Sequence, residues 1–222
     1  MYIQPLSKYS LIFPDPKLAD DEGLLCYGGD LSPNRIMSAY RSGIFPWFNE
    51  GDPILWWSPN PRLILELDEF KISKSLKKTI KKNIYEIKFD TNFRQTMIEC
   101  ANIKRDDQDG TWINEAMIEA YCELFDLGFA HSFESYYDGQ LVGGGYGIVI
   151  GDIFCGESMF AKKSDASKVA LSYLVKHLKQ KGFKYIDCQI PTPHLISLGA
   201  KDIHRDKFLK LVQKSLENPK EF

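Results

Sequence analysis

The chain has no CxxC pair, no HxxxH or HExxH pair, and no apolar run near the ~20 residues that a membrane-spanning helix requires. Its five cysteines, Cys26, Cys100, Cys122, Cys155 and Cys188, are odd in number and scattered through apolar or strand-like stretches. That excludes a disulfide framework and reads as reduced thiols in a cytoplasmic protein. The four histidines are dispersed, so a metal centre is not expected. Serines lack a GxSxG setting, no cysteine has an evident histidine partner, and there is no Walker lysine, internal repeat or low-complexity tract. The start, MYIQPLSKYSLIFPDP, has no basic stretch leading into an uninterrupted apolar run, so no signal peptide is expected. A formal net charge of −2 argues against nucleic-acid binding through overall charge, though not through a local basic patch.

What is present is a chain of 222 residues, 44% hydrophobic and 26% charged, enough to fill the core of one large domain or of a small domain packed on a larger one. The block Gly23–Phe48 holds a paired glycine, a helix and an aromatic cluster in close succession. Ser32 at the N-cap, Pro33 at the first helical position and Gly43 at the far end predict a helix over 33–42. The bursts IFPWF and ILWWSP, punctuated by Pro and Gly, suit an irregular loop lined with aromatics. Pro59 and Pro61 flank Asn60 and mark a hinge, dividing the chain into a small unit over 1–62 and a larger one over 63–222.

Beyond Arg62 the periodicity becomes regular. In 71–82, Ile72, Leu76 and Ile80 form one apolar stripe of a helix. Lys74, Lys77, Lys78 and Lys81, with Lys71 and Lys82, fall on the opposite half, either as a solvated face or as a footprint for phosphates. A helix is expected over 115–127, ended by Gly128. Strands over 131–137, 140–150 and 153–160 follow, joined by the two-residue turns Asp138-Gly139 and Gly151-Asp152. Ser164 or Asp165 can cap the next helix, closed by Gly182, before a last strand over 183–190. Antiparallel meander, then helix, then strand is the order found in many acyltransferases that use a carrier-bound acyl group.

Strand alternation puts Asp187 and Gln189 on one face about 7 Å apart. A mid-strand carboxylate is costly unless paired or functional. An acid beside an amide suits aminolysis: one holds a proton from the attacking amine, the other orients it. The bland alternative is an edge-strand pair facing water. With no covalent nucleophile in view, direct attack by an amine is the economical chemistry. Trp47, Trp56, Trp57 and Trp112, with Tyr40, Phe45 and Phe48, are either core or stacking platforms; a base stacked on an aromatic gains roughly 1–3 kcal/mol. The glycines Gly143–Gly145 mark a bulge or a close backbone approach by a ligand.

Several separated segments then agree with one family. GLLCYGGDLSP, AYRSGIFPWF, WWSPNPR, GTWINEAMIEAY, LGFAHSFE, LVGGGYG, FCGESMF, DASKVAL and IDCQIPTPHLISLGA occur in this order and cover most of 23–200. Together they resemble the leucyl/phenylalanyl-tRNA–protein transferases. The resemblance implies an α+β chain: a small N-terminal domain, then a GNAT-like acyltransferase domain whose mostly antiparallel sheet is flanked by helices. It implies transfer of Leu, Phe or sometimes Met from aminoacyl-tRNA to the N-terminal Lys or Arg of a protein, marking it for N-end-rule degradation. No cofactor is implied, since aminoacyl-tRNA is a co-substrate; the expected partners are Leu-tRNA, Phe-tRNA and protein N-termini, with no membrane and a monomeric chain.

Matched by motif, the resemblance implies Asp187 and Gln189 as a catalytic pair, with Gln189 assisting the amine and Asp187 accepting its proton. It implies that Trp47 and Trp112 hold the 3′ adenosine with support from Tyr40, that Phe154, Glu157 and Met159 contribute to the aminoacyl pocket, and that Lys74, Lys77, Lys78 and Lys81 face acceptor-stem phosphates. Gly145 and Leu174 stand where larger or aromatic residues are expected, which points to a roomier pocket; His204 stands where proline is common. Two other readings are a GNAT acetyltransferase using acetyl-CoA, whose R/Q-x-x-G-x-G/A turn the segment MFAKKSDASK departs from, and a non-catalytic RNA-binding module.

Overall fold

The computed structural model describes residues 3–103 and 112–222. Gly110 and Thr111 of the GTWI motif lie outside the described residues. The N-terminal part runs β1 (Gln4–Leu6), β2 (Leu24–Gly28), α1 (Pro33–Arg41), β3 (Phe45–Pro46) and β4 (Leu55–Trp57). These strands form a small sheet in the order β1-β2-β4-β3. The aromatic bursts expected to be irregular are therefore partly strand: Phe45 pairs with Trp57 and Pro46 with Trp56. Short runs of two and three residues carry too little alternation for a strand to be visible in sequence.

The remainder runs β5 (Arg62–Glu66), α2 (Lys74–Lys81), β6 (Glu86–Phe89), α3 (Phe93–Asn102), α4 (Glu115–Asp126), β7 (Ala130–Tyr137), β8 (Gln140–Ile150), β9 (Ile153–Ala161), α5 (Ala166–Gln180), β10 (Tyr185–Gln189), α6 (Pro193–Ser197), β11 (Lys201–Ile203) and α7 (Arg205–Leu216). Its seven strands order β11-β5-β10-β9-β8-β7-β6, and only β9 and β10 are parallel. The meander, its helix and its strand thus follow the expected order within a mostly antiparallel sheet. Asp138 and Gly139 both take positive φ, 49° and 74°, the geometry that a two-residue hairpin turn demands.

Capping differs in detail from expectation. Ser32 precedes α1 without a side-chain cap; its hydroxyl instead donates to Asp30 Oδ1 at 2.5 Å. The lysine-rich helix starts only after Ser73, whose Oγ accepts the Leu76 N–H at 3.1 Å, so Ile72 packs from outside the helix. Asp165 sits at the N-cap of α5 with a left-handed backbone, φ 62°, and does not cap it. Its carboxylate accepts instead from Thr79 Oγ1 at 2.9 Å, tying α5 to α2.

Two hydrophobic clusters cover the faces of the large sheet. One joins Cys26, Ile36 and Trp56 of the N-terminal part to Ile64, Met117 and Phe208 of the remainder. The core is thus continuous across the boundary expected at residue 62, and Arg62 itself opens β5. The other cluster packs Leu63, Leu65, Phe133, Phe154 and Ile186 under Leu171 and Leu174 of α5. Gly143 lies at a third cluster, where Leu76, Val142, Ala166 and Val169 meet: a Cβ there would stand 2.5 Å from the Ala166 Cβ. The helix accounts for Gly143, which also stands at the β7–β8 register shift between Ser135 and Tyr136, whereas Gly144 is held by the neighbouring strand, where a Cβ would stand 2.3 Å from the Phe133 carbonyl oxygen.

Candidate active site

β9 and β10 pair only from Tyr185/Ile153 to Asp187/Cys155, although β9 continues to Ala161. Two irregularities coincide at that level. The β8–β9 register shifts between Tyr146 and Gly147, which pair with Ser158 and Gly156, so Glu157 is the extra residue of a bulge. On β10 the register shifts between Asp187 and Gln189, and Gln189 takes φ +60°. A non-glycine residue held there is strained, and such strain gathers at functional sites. A cavity of about 320 Å³ lies at the break, with Gly156, Glu157 and Met159 from β9 and Ile186, Cys188 and Gln189 from β10 in its wall.

The rest of the lining divides sharply. Trp47 and Trp112 border the cavity, and Phe133, Phe154, Leu171 and Leu174 make it apolar. Trp47 is held from behind: the Trp57 indole donates to its carbonyl at 2.7 Å, with the two rings 5.6 Å apart. Gly145 does not enlarge the cavity as expected, because a Cβ there would meet Phe133 Cζ at 2.6 Å and Met159 Cγ at 2.7 Å. The Phe133 ring and the Met159 side chain already occupy the space that a larger residue would take.

At the polar end Gln189 Nε2 donates to Glu157 Oε1 at 2.7 Å. Tyr121 Oη donates to Glu157 Oε2 at 3.3 Å and lies 2.7 Å from Tyr40 Oη. Burial pushes both phenols well above their ordinary range, so both stay protonated donors. Burial also raises the Glu157 carboxyl to about 7, despite hydrogen bonds from Tyr40, Gln189 and Tyr121 that oppose the rise. Tyr40 is thus a buried neighbour of both Tyr121 and Glu157, and not part of the cavity wall.

Asp187 differs from expectation. It is buried completely, on a strand flanked by β5 and β9, so neither it nor Gln189 faces water from an edge. Its two oxygens accept from Arg62 Nε at 2.8 Å and Arg62 Nη2 at 2.6 Å. One of them also accepts the backbone N–H of Gln189 at 3.0 Å. The Arg62 guanidinium is sandwiched between the rings of Phe45 and Phe208, 4.8 and 4.4 Å from their centroids. Asp187 lies beneath the cavity, with its carboxylate already occupied; the carboxylate in the wall is Glu157.

Sequence reasoning missed Arg62 and Tyr121. The clue to Arg62 was the rule that a mid-strand acid must be paired, together with a cation opening the apolar run RLILEL. Tyr121 carried no clue beyond its place on the buried face of α4. The lysines Lys74, Lys77, Lys78 and Lys81 are exposed on α2 and form no ion pair among the described residues. α2 packs on the start of α5, around Ala166 and Val169, while Leu171 and Leu174 further along α5 line the cavity.

Two family models match the chain: leucyl/phenylalanyl-tRNA protein transferase over residues 64–213, and the N-terminal domain of the same proteins over 29–60. The chain belongs to the leucyl/phenylalanyl-tRNA–protein transferase family. A transferase of that name from Sulfurimonas denitrificans is 56% identical over 212 residues, 96% of this chain and 92% of that protein. Those from Flavobacterium johnsoniae and Cellvibrio japonicus are 51% and 52% identical, covering 91% and 98% of this chain and 96% and 93% of theirs. Among solved structures, L-PGS from Bacillus licheniformis is 15% identical with a TM-score of 0.41 over 61% of this chain and 48% of that one, too slight a likeness to inform chemistry. The transferase is thus an enzyme that moves Leu or Phe from aminoacyl-tRNA to protein N-termini. Among the described residues no helix is long and apolar enough to cross a membrane.

Proposed function

We propose that transfer occurs in this cavity by direct aminolysis, with no acyl-enzyme. The acceptor's ammonium group loses one proton, and its nitrogen attacks the aminoacyl carbonyl carbon. The C–N bond forms, the bond from that carbon to the ribose oxygen breaks, and the second proton leaving nitrogen ends on the ribose oxygen. Glu157 is the group suited to move these protons, since a base poised near neutrality both takes and returns a proton readily. The Gln189 carboxamide gives its N–H to Glu157, which leaves its carbonyl oxygen to orient the amine. Asp187 acts as a positioning residue: neutralised by Arg62, it holds the Gln189 backbone at its positive φ.

Trp47 and Trp112 offer flat faces for the 3′ adenosine, and Tyr40 steadies Glu157 both directly and through Tyr121. Phe154 and Met159, with Leu171 and Leu174, receive the Leu, Phe or Met side chain. Because one methylene discriminates by only about 1–3 kcal/mol, wall shape has to reject Ile and Val. Lys74, Lys77, Lys78 and Lys81 meet acceptor-stem phosphates without reading sequence. The acceptors begin with Lys or Arg and are marked for N-end-rule degradation; the chain works as a cytoplasmic monomer, and its activated ester requires no cofactor.

The observation that carries this reading is a carboxylate hydrogen-bonded to an amide in a cavity bordered by two tryptophans. Purified protein mixed with labelled leucyl-tRNA and peptides beginning with Arg or Ala tests it. Label is expected in the Arg peptide alone. Equal labelling of both peptides removes the acceptor assignment, and labelling of the protein itself removes direct attack.

A further inference from the structure

After α7 the chain returns to the large sheet. The Lys220 N–H donates to the Gly151 carbonyl at 2.9 Å, and Lys181 Nζ donates to a Phe222 oxygen at 3.1 Å. Between these anchors the Phe222 ring enters a set of four rings. It stacks on His131 at 4.2 Å and 15°, and lies 4.8 Å from His177, 5.8 Å from Phe89 and 5.9 Å from Phe154. His131 is fixed in turn by Asp90 Oδ2, 2.8 Å from its Nδ1. Phe222 takes no part in the proton chain at the polar end, and it does not line the cavity.

Phe154 connects the two. It is fully buried, it lines the cavity, and it meets Phe133, another wall residue, edge to face at 6.3 Å. One neighbour of Phe154 is thus the space for the substrate side chain, and another is Phe222. Close-packed interiors leave little room for a ring to move unless a neighbour is removed. We infer that Phe222 is a specificity-determining residue of the transferase: by backing Phe154 it sets the depth of the aminoacyl pocket and hence the balance between leucyl and phenylalanyl substrates. This rests on the reading of the cavity as that pocket.

Truncating Phe222 vacates the space behind Phe154, into which that ring can retreat, deepening the cavity in favour of the longer side chain. The experiment compares kcat/KM for Leu-tRNA and Phe-tRNA in the full chain and in Phe222→Ala, Phe222→Met and Leu174→Ala. Phe222→Ala is expected to raise the Phe:Leu ratio about 10-fold, the lower end of what one methylene is worth in an apolar pocket. Phe222→Met, which refills most of the volume, is expected to raise it less, and it serves as the readout if the alanine variant does not fold. A merely structural role lowers both substrates in proportion and leaves the ratio alone, which overturns the inference. Leu174→Ala separates the two levels. If it shifts the ratio and the Phe222 variants do not, only the role of Phe222 is lost; if none shifts it, the pocket reading falls too.

Discussion

The two ends of the cavity are held in place by different physics. At one end Arg62, Asp187, Gln189, Glu157, Tyr121 and Tyr40 form a continuous hydrogen-bonded series, most of it buried. At the other, Phe133, Phe154, Leu171 and Leu174 are placed by packing alone. A buried polar chain is all or nothing, because removing one member leaves its partner unsatisfied in a low-dielectric interior. An apolar wall gives way by degrees, as neighbours relax into whatever space appears. The chemistry therefore sits where geometry is rigid, and the choice of side chain where it is adjustable.

The sharpest break is expected at Arg62. Arg62→Ala strands the Asp187 carboxylate and should destabilise the fold by about 3–5 kcal/mol, measured by denaturant unfolding. Pairing Arg62→Met with Asp187→Leu should recover much of that stability while transfer stays low; full recovery of transfer would show that the ion pair does no positioning. At Glu157 the expected loss is of rate. Glu157→Gln should slow transfer by about 100-fold or more.

The pH profile sharpens the same point. Glu157 works ionised and has its carboxyl raised to about 7, so kcat/KM should fall as pH drops below that value, and Glu157→Gln should abolish the fall. Since the folded value lies above the ordinary 4.5, the native chain holds an extra proton between about 4.5 and 7, and this group's contribution to stability declines as pH rises through that window. A flat profile in the parent enzyme would transfer the proton role elsewhere. The smallest effect lies outside both ends: Lys77→Glu with Lys81→Glu should weaken intact aminoacyl-tRNA severalfold, more at low salt, and spare a short aminoacyl-adenosine analogue. An equal response of both substrates would make the lysine face structural.

How much of this was legible depended on the range of the interactions. The meander over 130–161 was visible because alternation and two-residue turns are local signals, and Asp138-Gly139 has the backbone its residues demand. The aromatic segment was visible as composition but not as β3 and β4, which are too short for any period to register. Gln189 and Glu157 were each singled out from their motifs, yet nothing in either motif showed that they touch across two strands that part there.

Asp187 marks the dividing line. That a mid-strand acid needs a partner or a purpose follows from the cost of burying charge, and the linear chain was enough to say so. That the partner is Arg62, 125 positions away and wedged between two rings, was decided only when β5 came to lie beside β10. Local pattern specifies which groups cannot stand alone; long-range pairing in the folded chain chooses what they stand against, because register across a sheet is set by the whole core and not by neighbours in sequence.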